Sequence, residues 1–269
     1  MTDLLLVPIG LAVGMIGALI GVGGGFFVVP FLLQLWRPGA FTPPTATAAS
    51  LGVVLVSALS GSAANARRKR IDVRLGVLLA AGTLPGAWAG RRLHDVLSER
   101  AFAWAFAGLL LTVALYLAFV RLKPGKGLLR GAPRELTDSD GQTHRYEVNA
   151  TAGVLVALLV GVVSSLFGVG GGLILVPFMV LAYGAPTVVG AATAQFAFIF
   201  TSLVGLAIAL ADRHVTGEGG KVIGYMGAGV ALGAQLGVSI AKRVREGLLR
   251  GVLAAVIATV ALLMLLKGR

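Results

Sequence analysis

A glycine-rich block interrupts two long apolar stretches of this chain, and it has nearly the same sequence both times. The first copy reads GVGGGFFVVPF at residues 21–31, and the second reads GVGGGLILVPF at residues 168–178. Eight of the eleven positions are identical, at an offset of 147 residues. Glycine is a poor helix former, so each block predicts a break in a helix. A repeated break of this kind indicates a chain built from two related halves.

The uncharged stretches around these blocks are long enough to cross a lipid bilayer. Residues 4–36, 38–66 and 148–211 contain no Asp, Glu, Lys or Arg. A spanning helix needs about 20 mostly apolar residues. Charged residues make up only 13% of the chain, against roughly 25% in a soluble domain. We therefore expect an all-α polytopic membrane protein of the cell (plasma) membrane, in contact with lipid.

Each half divides into five apolar helical segments. We expect a first transmembrane repeat at residues 1–120, a cytoplasmic linker at 121–149 that forms a mobile loop, and a second transmembrane repeat at 150–269. The second segment of each half, at 22–36 and 169–183, gives roughly 22 Å of helix against a hydrocarbon core of ~30 Å. This favours a glycine-broken hairpin or broken helix with its tip inside the membrane. Five full crossings per half are the alternative.

Basic residues predict the orientation of the chain in the membrane. The loops at 66–74, 121–149 and 242–250 hold 15 of the 23 Lys and Arg residues. Cytoplasmic loops carry such an excess, so both termini are expected outside. An odd number of crossings per half then produces two inverted-topology repeats. The net charge of +12 is explained by these loops, and we expect no nucleic-acid partner.

Two sets of three glycines, spaced four residues apart, predict close contact between helices. Each set lies on the fourth segment of its half, again at an offset of 147 residues. Whether these seams pack within one protomer or between copies in a homo-oligomer is left open. The glycines are Gly82, Gly86 and Gly90 in the first half, and Gly229, Gly233 and Gly237 in the second.

The glycine blocks are the predicted binding site for a small anionic substrate. Their N–H groups can point at a ligand, and the helix after each block adds the partial positive charge of its N-terminus. Polar residues on the third segments can donate hydrogen bonds to an oxyanion. Two opposed helix N-termini favour alternating access around a midplane site. The candidate substrate-binding residues are Gly21, Gly23, Gly24, Gly25, Thr47, Ser50, Gly168, Gly170, Gly171, Gly172, Thr193 and Gln195.

The remaining ionisable residues argue against other functions. All eleven acidic residues and the three histidines lie in or near loops, and the chain has no cysteine. No group at membrane depth can therefore serve as a cation ligand or as a nucleophile with its base. We expect no catalytic residues, no metal site, no cofactor and no enzymatic activity. An anion channel, or a transporter of another small solute, remains an alternative.

The sequence resembles the TauE/SafE sulfite exporter family. The resemblance rests on the blocks at 21–31 and 168–178, on Ala49-Ser50-Leu51 and Ala194-Gln195-Phe196, and on the paired glycine seams. It covers nearly the whole chain apart from the linker. It implies a secondary transporter of small sulfur-containing anions, such as sulfite or organosulfonates, or of other organic anions. It also implies that the glycine blocks and the adjacent polar residues line the substrate path.

Overall fold

The protein folds into two sets of five helices joined by a short β-hairpin. The computed structural model describes residues 2–21, 23–37, 39–119, 127–241 and 246–267. A 3-10 turn at Thr2–Leu5 precedes the first set. The first set is α1 (Leu6–Ile20), α2 (Gly25–Gln34), α3 (Pro43–Arg67), α4 (Val73–Val96) and α5 (Glu99–Phe119). The second is α6 (Ala150–Phe167), α7 (Gly172–Tyr183), α8 (Thr187–Ala211), α9 (Gly217–Ile240) and α10 (Glu246–Lys267).

The helices confirm the expected all-α membrane protein. Among the described residues, five helices are long and apolar enough to cross a membrane, namely α3, α5, α6, α8 and α9. The second helix of each set is short, as the sequence predicts. With 10 residues in α2 and 12 in α7, these helices reach only about 15 and 18 Å at 1.5 Å per residue.

The first two helices of each set form a hairpin with the glycine block at its closed end. In the α1–α2 hairpin, Arg37 Nη2 lies 2.8 Å from Asp3 Oδ1, so both open ends meet. Arg37 also pairs with Glu218 at the start of α9. In the α6–α7 hairpin, Tyr183 Oη donates a hydrogen bond of 2.7 Å to the carbonyl oxygen of Asn149. The chain therefore enters and leaves each hairpin at the same side of the bundle.

The glycine seams pack each hairpin against the other half of the chain. The Gly82, Gly86 and Gly90 seam of α4 contacts the backbone of α6, and the Gly229, Gly233 and Gly237 seam of α9 contacts the backbone of α1. A Cβ on any of these six glycines would come within 2.8 Å of an atom of the facing helix. The predicted close packing is therefore confirmed, and these contacts lie within one protomer.

The linker between the halves is folded, so the expectation of a mobile loop is wrong for residues 132–148. Strands β1 (Ala132–Thr137) and β2 (Thr143–Val148) pair antiparallel, with Glu135 opposite Arg145. The turn contains Asp140 and Gly141, and Gly141 has a φ of +77°. Asp-Gly is a strong hairpin signal that the sequence already contained. Residues 121–126 of the linker and 242–245 of the last basic loop lie outside the described residues.

This β-hairpin connects the ends of helices from both halves. Tyr146 Oη donates to Asp72 Oδ2 over 2.7 Å, and the N–H of Ser139 donates to the carbonyl oxygen of Arg68 over 3.0 Å. The N–H of Leu129, which precedes β1, donates to the carbonyl oxygen of Ala182 over 2.9 Å. The open end of the α6–α7 hairpin therefore lies at the C-terminal end of α3. The open end of the α1–α2 hairpin leads directly into the N-terminal end of α3.

Candidate functional site

The first glycine block forms a tight turn that only glycine accommodates without strain. Gly21, Gly23 and Gly24 have φ values of 76°, 79° and 81°, in the left-handed region that other residues rarely adopt. Helix α2 begins immediately afterwards at Gly25. The N–H groups of Gly24 and Gly25 have no acceptor among the described residues. Within the described residues, the turn thus leaves donors at the N-terminus of a helix, where an anion is favoured.

The second block repeats this arrangement. Gly168 and Gly170 both have a φ of 65°, and α7 begins at Gly172, whose N–H donates to the carbonyl oxygen of Gly170 over 2.7 Å. In the part of the chain that the structure describes, no acceptor faces the N–H groups of Gly170 and Gly171. Two helix N-termini whose N–H groups lack an acceptor among the described residues therefore occur at equivalent places in the two halves.

The closed ends of the two hairpins meet in the middle of the bundle. We call residues 21–25 and 168–172 the hairpin tips. A Cβ built on Gly25 would lie 2.2 Å from the carbonyl oxygen of Gly168, so the tips are in direct backbone contact. Ser50 Oγ on α3 donates to that same carbonyl oxygen over 2.7 Å, with a longer contact of 3.4 Å to the carbonyl oxygen of Gly25.

Thr47 adds an unused hydroxyl to the tips. It packs against Gly168, where a Cβ would lie 3.0 Å from Thr47 Cγ2. Thr47 is fully buried, and its Oγ1 has no hydrogen-bond partner in the described part of the chain. A buried hydroxyl without a partner costs about 1–3 kcal/mol. The hydroxyl and the spare N–H groups together form a neutral set of donors with no ionisable side chain on the tips themselves.

The structure separates the other two polar candidates from the tips. Gln195 on α8 is fully buried and accepts a hydrogen bond of 3.1 Å from Asn65 Nδ2 of α3. Thr193 Oγ1 accepts a bond of 3.0 Å from the N–H of Asp72. Thr193 thereby supports the residue that caps α4, next to the linker. Of the polar candidates from the sequence, the tips thus gather Thr47 and Ser50.

Sequence reasoning missed a buried basic cluster at the opposite end of α4. Arg91 is fully buried, and its Nη2 lies 2.6 Å from His214 Nδ1. His94, one turn further on, is buried against Phe102. The two histidines help to line a cavity of about 570 Å³. The sequence signal for this cluster was an arginine pair and a histidine directly after an apolar run. The same pattern is also typical of residues that anchor a helix at the membrane boundary.

The described residues contain no cluster of His, Asp or Glu that could hold a metal ion. The N–H groups of the tips cannot ligate a cation, and the carbonyl oxygens of Gly168 and Gly25, a type of oxygen that cations do bind, contact Ser50 Oγ. The Tyr146 phenol lies in the linker and not at the tips. Burial and its hydrogen bond to Asp72 raise the pKa of this phenol well above the usual value. It therefore acts as a neutral donor that fixes the β-hairpin.

Comparison with known proteins assigns the chain at the family level. Residues 6–264 match the family model described as Sulfite exporter TauE/SafE. A probable membrane transporter protein of Bacillus subtilis, YunE, is 31% identical over 222 residues, which cover 80% of this chain and 81% of the relative. No solved structure matches the chain.

Two further relatives carry the same kind of name. A probable membrane transporter protein of Methanocaldococcus jannaschii is 25% identical over 181 residues, covering 66% of this chain and 61% of the relative. A probable membrane transporter protein of Xylella fastidiosa is 30% identical over 177 residues, covering 65% and 62%.

Proposed function

The chain belongs to the sulfite exporter TauE/SafE family of membrane transporters, and from this premise we propose that it is a secondary transporter of small sulfur-containing or organic anions. The substrate class is that of sulfite and short organosulfonates. The substrate binds at the hairpin tips, between the N-termini of α2 and α7. The single observation that carries this proposal is the meeting of two helix N-termini beside the Thr47 hydroxyl, where neither the N–H donors nor the hydroxyl have a partner among the described residues.

The donor set fits an oxyanion better than a cation. Helix N-termini carry roughly half a positive elementary charge each. Sulfite and sulfonate groups present three oxygens that accept hydrogen bonds, and the tips present N–H groups of Gly24, Gly25, Gly170 and Gly171. A site without Lys or Arg also releases its anion easily, since binding that is too strong would stop the cycle.

Burial of the tips supports alternating access. The described residues of both tips are buried, so the substrate reaches them only after the halves move relative to each other. We propose that the two halves lie in the membrane as inverted repeats, with each hairpin re-entering from its own side. The basic loops then face the cytoplasm and both termini lie outside. An open anion channel would instead require a continuous passage past the tips.

The test is a flux assay with the purified protein in liposomes. We expect saturable uptake of labelled sulfite or of a short alkanesulfonate, with counterflow when the unlabelled anion is inside. Unitary currents without counterflow would assign the protein to the channels. If none of sulfite, sulfate, thiosulfate, alkanesulfonates or carboxylates moves, the proposed function is wrong.

Variants at the tips test the site itself. A Cβ on Gly171 would lie 1.9 Å from Val160 Cγ1, and a Cβ on Gly24 would lie 2.6 Å from Val13 Cγ1. Gly171→Leu and Gly24→Leu are therefore expected to abolish flux. Gly108→Leu on α5 is the matched control, because nothing lies within 4 Å of a Cβ there. Normal transport by both tip variants would exclude the tips as the binding site.

A further inference from the structure

A second cluster of neutral polar residues lies where α3 and α8 cross, away from the hairpin tips. Gln195 of α8 packs its amide head onto Gly61 of α3, where a Cβ would lie 2.2 Å from Nε2. Asn65 Nδ2 donates to Gln195 Oε1 over 3.1 Å, and Gln195 Nε2 has a longer contact of 3.4 Å with the carbonyl oxygen of Ser57. Ser62 lies five residues after Ser57, so it points about 140° away from Ser57 around α3 and is not part of this cluster.

One hydroxyl of this cluster has no partner among the described residues. Ser57 Oγ is buried without a hydrogen-bond partner there, and the residue is 0% exposed. Serines in membrane helices usually bond a carbonyl or a neighbouring helix. Nearby Ser60 does this, since its Oγ donates to the carbonyl oxygen of Ala231. Packing alone is therefore a poor explanation for Ser57, where alanine would fill the same space without a buried polar atom.

The position of the cluster connects it to the tips. Ser50, Ser57, Gly61 and Asn65 are spaced by seven, four and four residues, so they lie on one face of α3. Seven residues are two helical turns, which places Ser57 about 10 Å from Ser50 along the helix axis. Beyond Asn65, α3 ends at Arg67, and the chain continues with the basic residues Arg68, Lys69 and Arg70. The cluster therefore lies between the tips and the basic end of the helix.

We propose that Ser57, Asn65 and Gln195 form a second station for the transported oxyanion, occupied on its way between the tips and the basic end of α3. This inference rests on the proposed function. The Ser57 hydroxyl and the amide N–H groups donate to the oxygens of the anion, in place of the water that it loses. Like the tips, the station uses neutral donors, so the anion moves between two weak sites rather than settling in one strong site.

The test uses the variant Ser57→Ala in the liposome flux assay. We expect flux of the anion that the wild type carries to fall about tenfold or more, because a lost hydrogen bond to a charged group corresponds to a change of that size. We expect the melting temperature to stay level or rise, since a buried hydroxyl without a partner among the described residues is removed. Ser60→Ala is the matched control, with a lower melting temperature and unchanged flux per folded protein.

Calorimetry separates the two sites. Ser57→Ala is expected to keep equilibrium binding of sulfite at the tips while its flux falls, and Gly171→Leu is expected to lose both. Gln195→Glu, which keeps the shape and adds a negative charge, should block flux further. Wild-type flux in Ser57→Ala would overturn the second station and leave the proposed function intact. A fall in flux that only follows a loss of folded protein would assign Ser57 to packing and also overturn it. Absence of any anion flux in the wild type would refute the proposed function itself.

Discussion

Replacing Gly25 by alanine should push the two hairpin tips apart with the smallest available change. The new Cβ would lie 2.2 Å from the carbonyl oxygen of Gly168. A comfortable contact between carbon and a carbonyl oxygen is about 3.3–3.6 Å, so the tips must separate by roughly 1 Å. The obstacle is backbone rather than the flexible end of a side chain, so it cannot simply rotate away.

We expect this displacement to reduce transport between tenfold and a hundredfold, because about 1 Å of misplacement can cost a hundredfold in a preorganised site. Overpacking should lower the free energy of unfolding by about 1–3 kcal/mol. The assay is initial uptake in liposomes at several anion concentrations, normalised to the folded protein, together with a thermal unfolding curve. The affinity measured by calorimetry should weaken alongside the flux.

The matched comparison is Gly23→Ala on the same tip. Gly23 has a φ of +79°, but among the described residues a Cβ there meets only Val54 Cγ1, at 3.4 Å, which is an ordinary contact. This variant therefore introduces backbone strain of about 1–2 kcal/mol without driving the tips apart. Gly25→Ala should impair transport much more than Gly23→Ala. Equal effects would show that tip contact is irrelevant, and wild-type flux in Gly25→Ala would refute the reasoning.

Three further predictions concern the scaffold around the tips. Tyr146→Phe removes the donor to Asp72 and should cost about 1.5–3 kcal/mol of stability, read from thermal unfolding. The pKa of Tyr146 is raised above its usual value near 10. Its contribution to the free energy of unfolding is therefore complete below about pH 10 and is lost as the pH rises further. Between pH 6 and 9 the free energy of unfolding should show no pH dependence that comes from Tyr146. The chain has no cysteine, so single introduced cysteines report topology directly. Gly217→Cys should react with an impermeant maleimide from outside intact cells, and Gly141→Cys should react only after permeabilisation. The reverse pattern would overturn the predicted orientation. Gly233→Val places a Cβ 2.1 Å from the carbonyl oxygen of Leu11 and should lower the melting temperature, and an unchanged value would contradict the seam.

Local patterns in the sequence predicted the helices and their breaks because these features depend on nearby residues. The left-handed turns at Gly21 and Gly168, the short helices that follow, and the close approach at Gly86 and Gly233 all result from the absence of a side chain at a fixed position. A repeat offset of 147 residues then predicts the same elements twice. Such features need no knowledge of which helices are neighbours.

Contacts between distant elements could not be predicted in this way. Nothing near Gly25 indicates that it touches Gly168, and nothing near Gln195 indicates that its amide reaches Asn65 rather than the tips. Ser50 and Gln195 occupy equivalent places in the sequence, yet one donates to the tip carbonyls and the other lies beside Ser57. Equivalent positions in two repeats can thus meet different neighbours, because the packing of the helices determines which partners a polar side chain can reach.

The hydrogen bonds of Ser50 suggest how the tips and α3 move together. Its hydroxyl proton goes to the carbonyl oxygen of Gly168 at 2.7 Å, and the second contact, to Gly25, is 3.4 Å. A single donor from the first half therefore holds a carbonyl of the second half, directly beside the N–H groups that are expected to face the anion. If the halves move relative to each other during transport, this bond has to lengthen, and the hydroxyl becomes available to another acceptor. An oxyanion at the tips is the acceptor that the proposed cycle supplies, so Ser50 would hold the tips together when the site is empty and donate to the substrate when they separate.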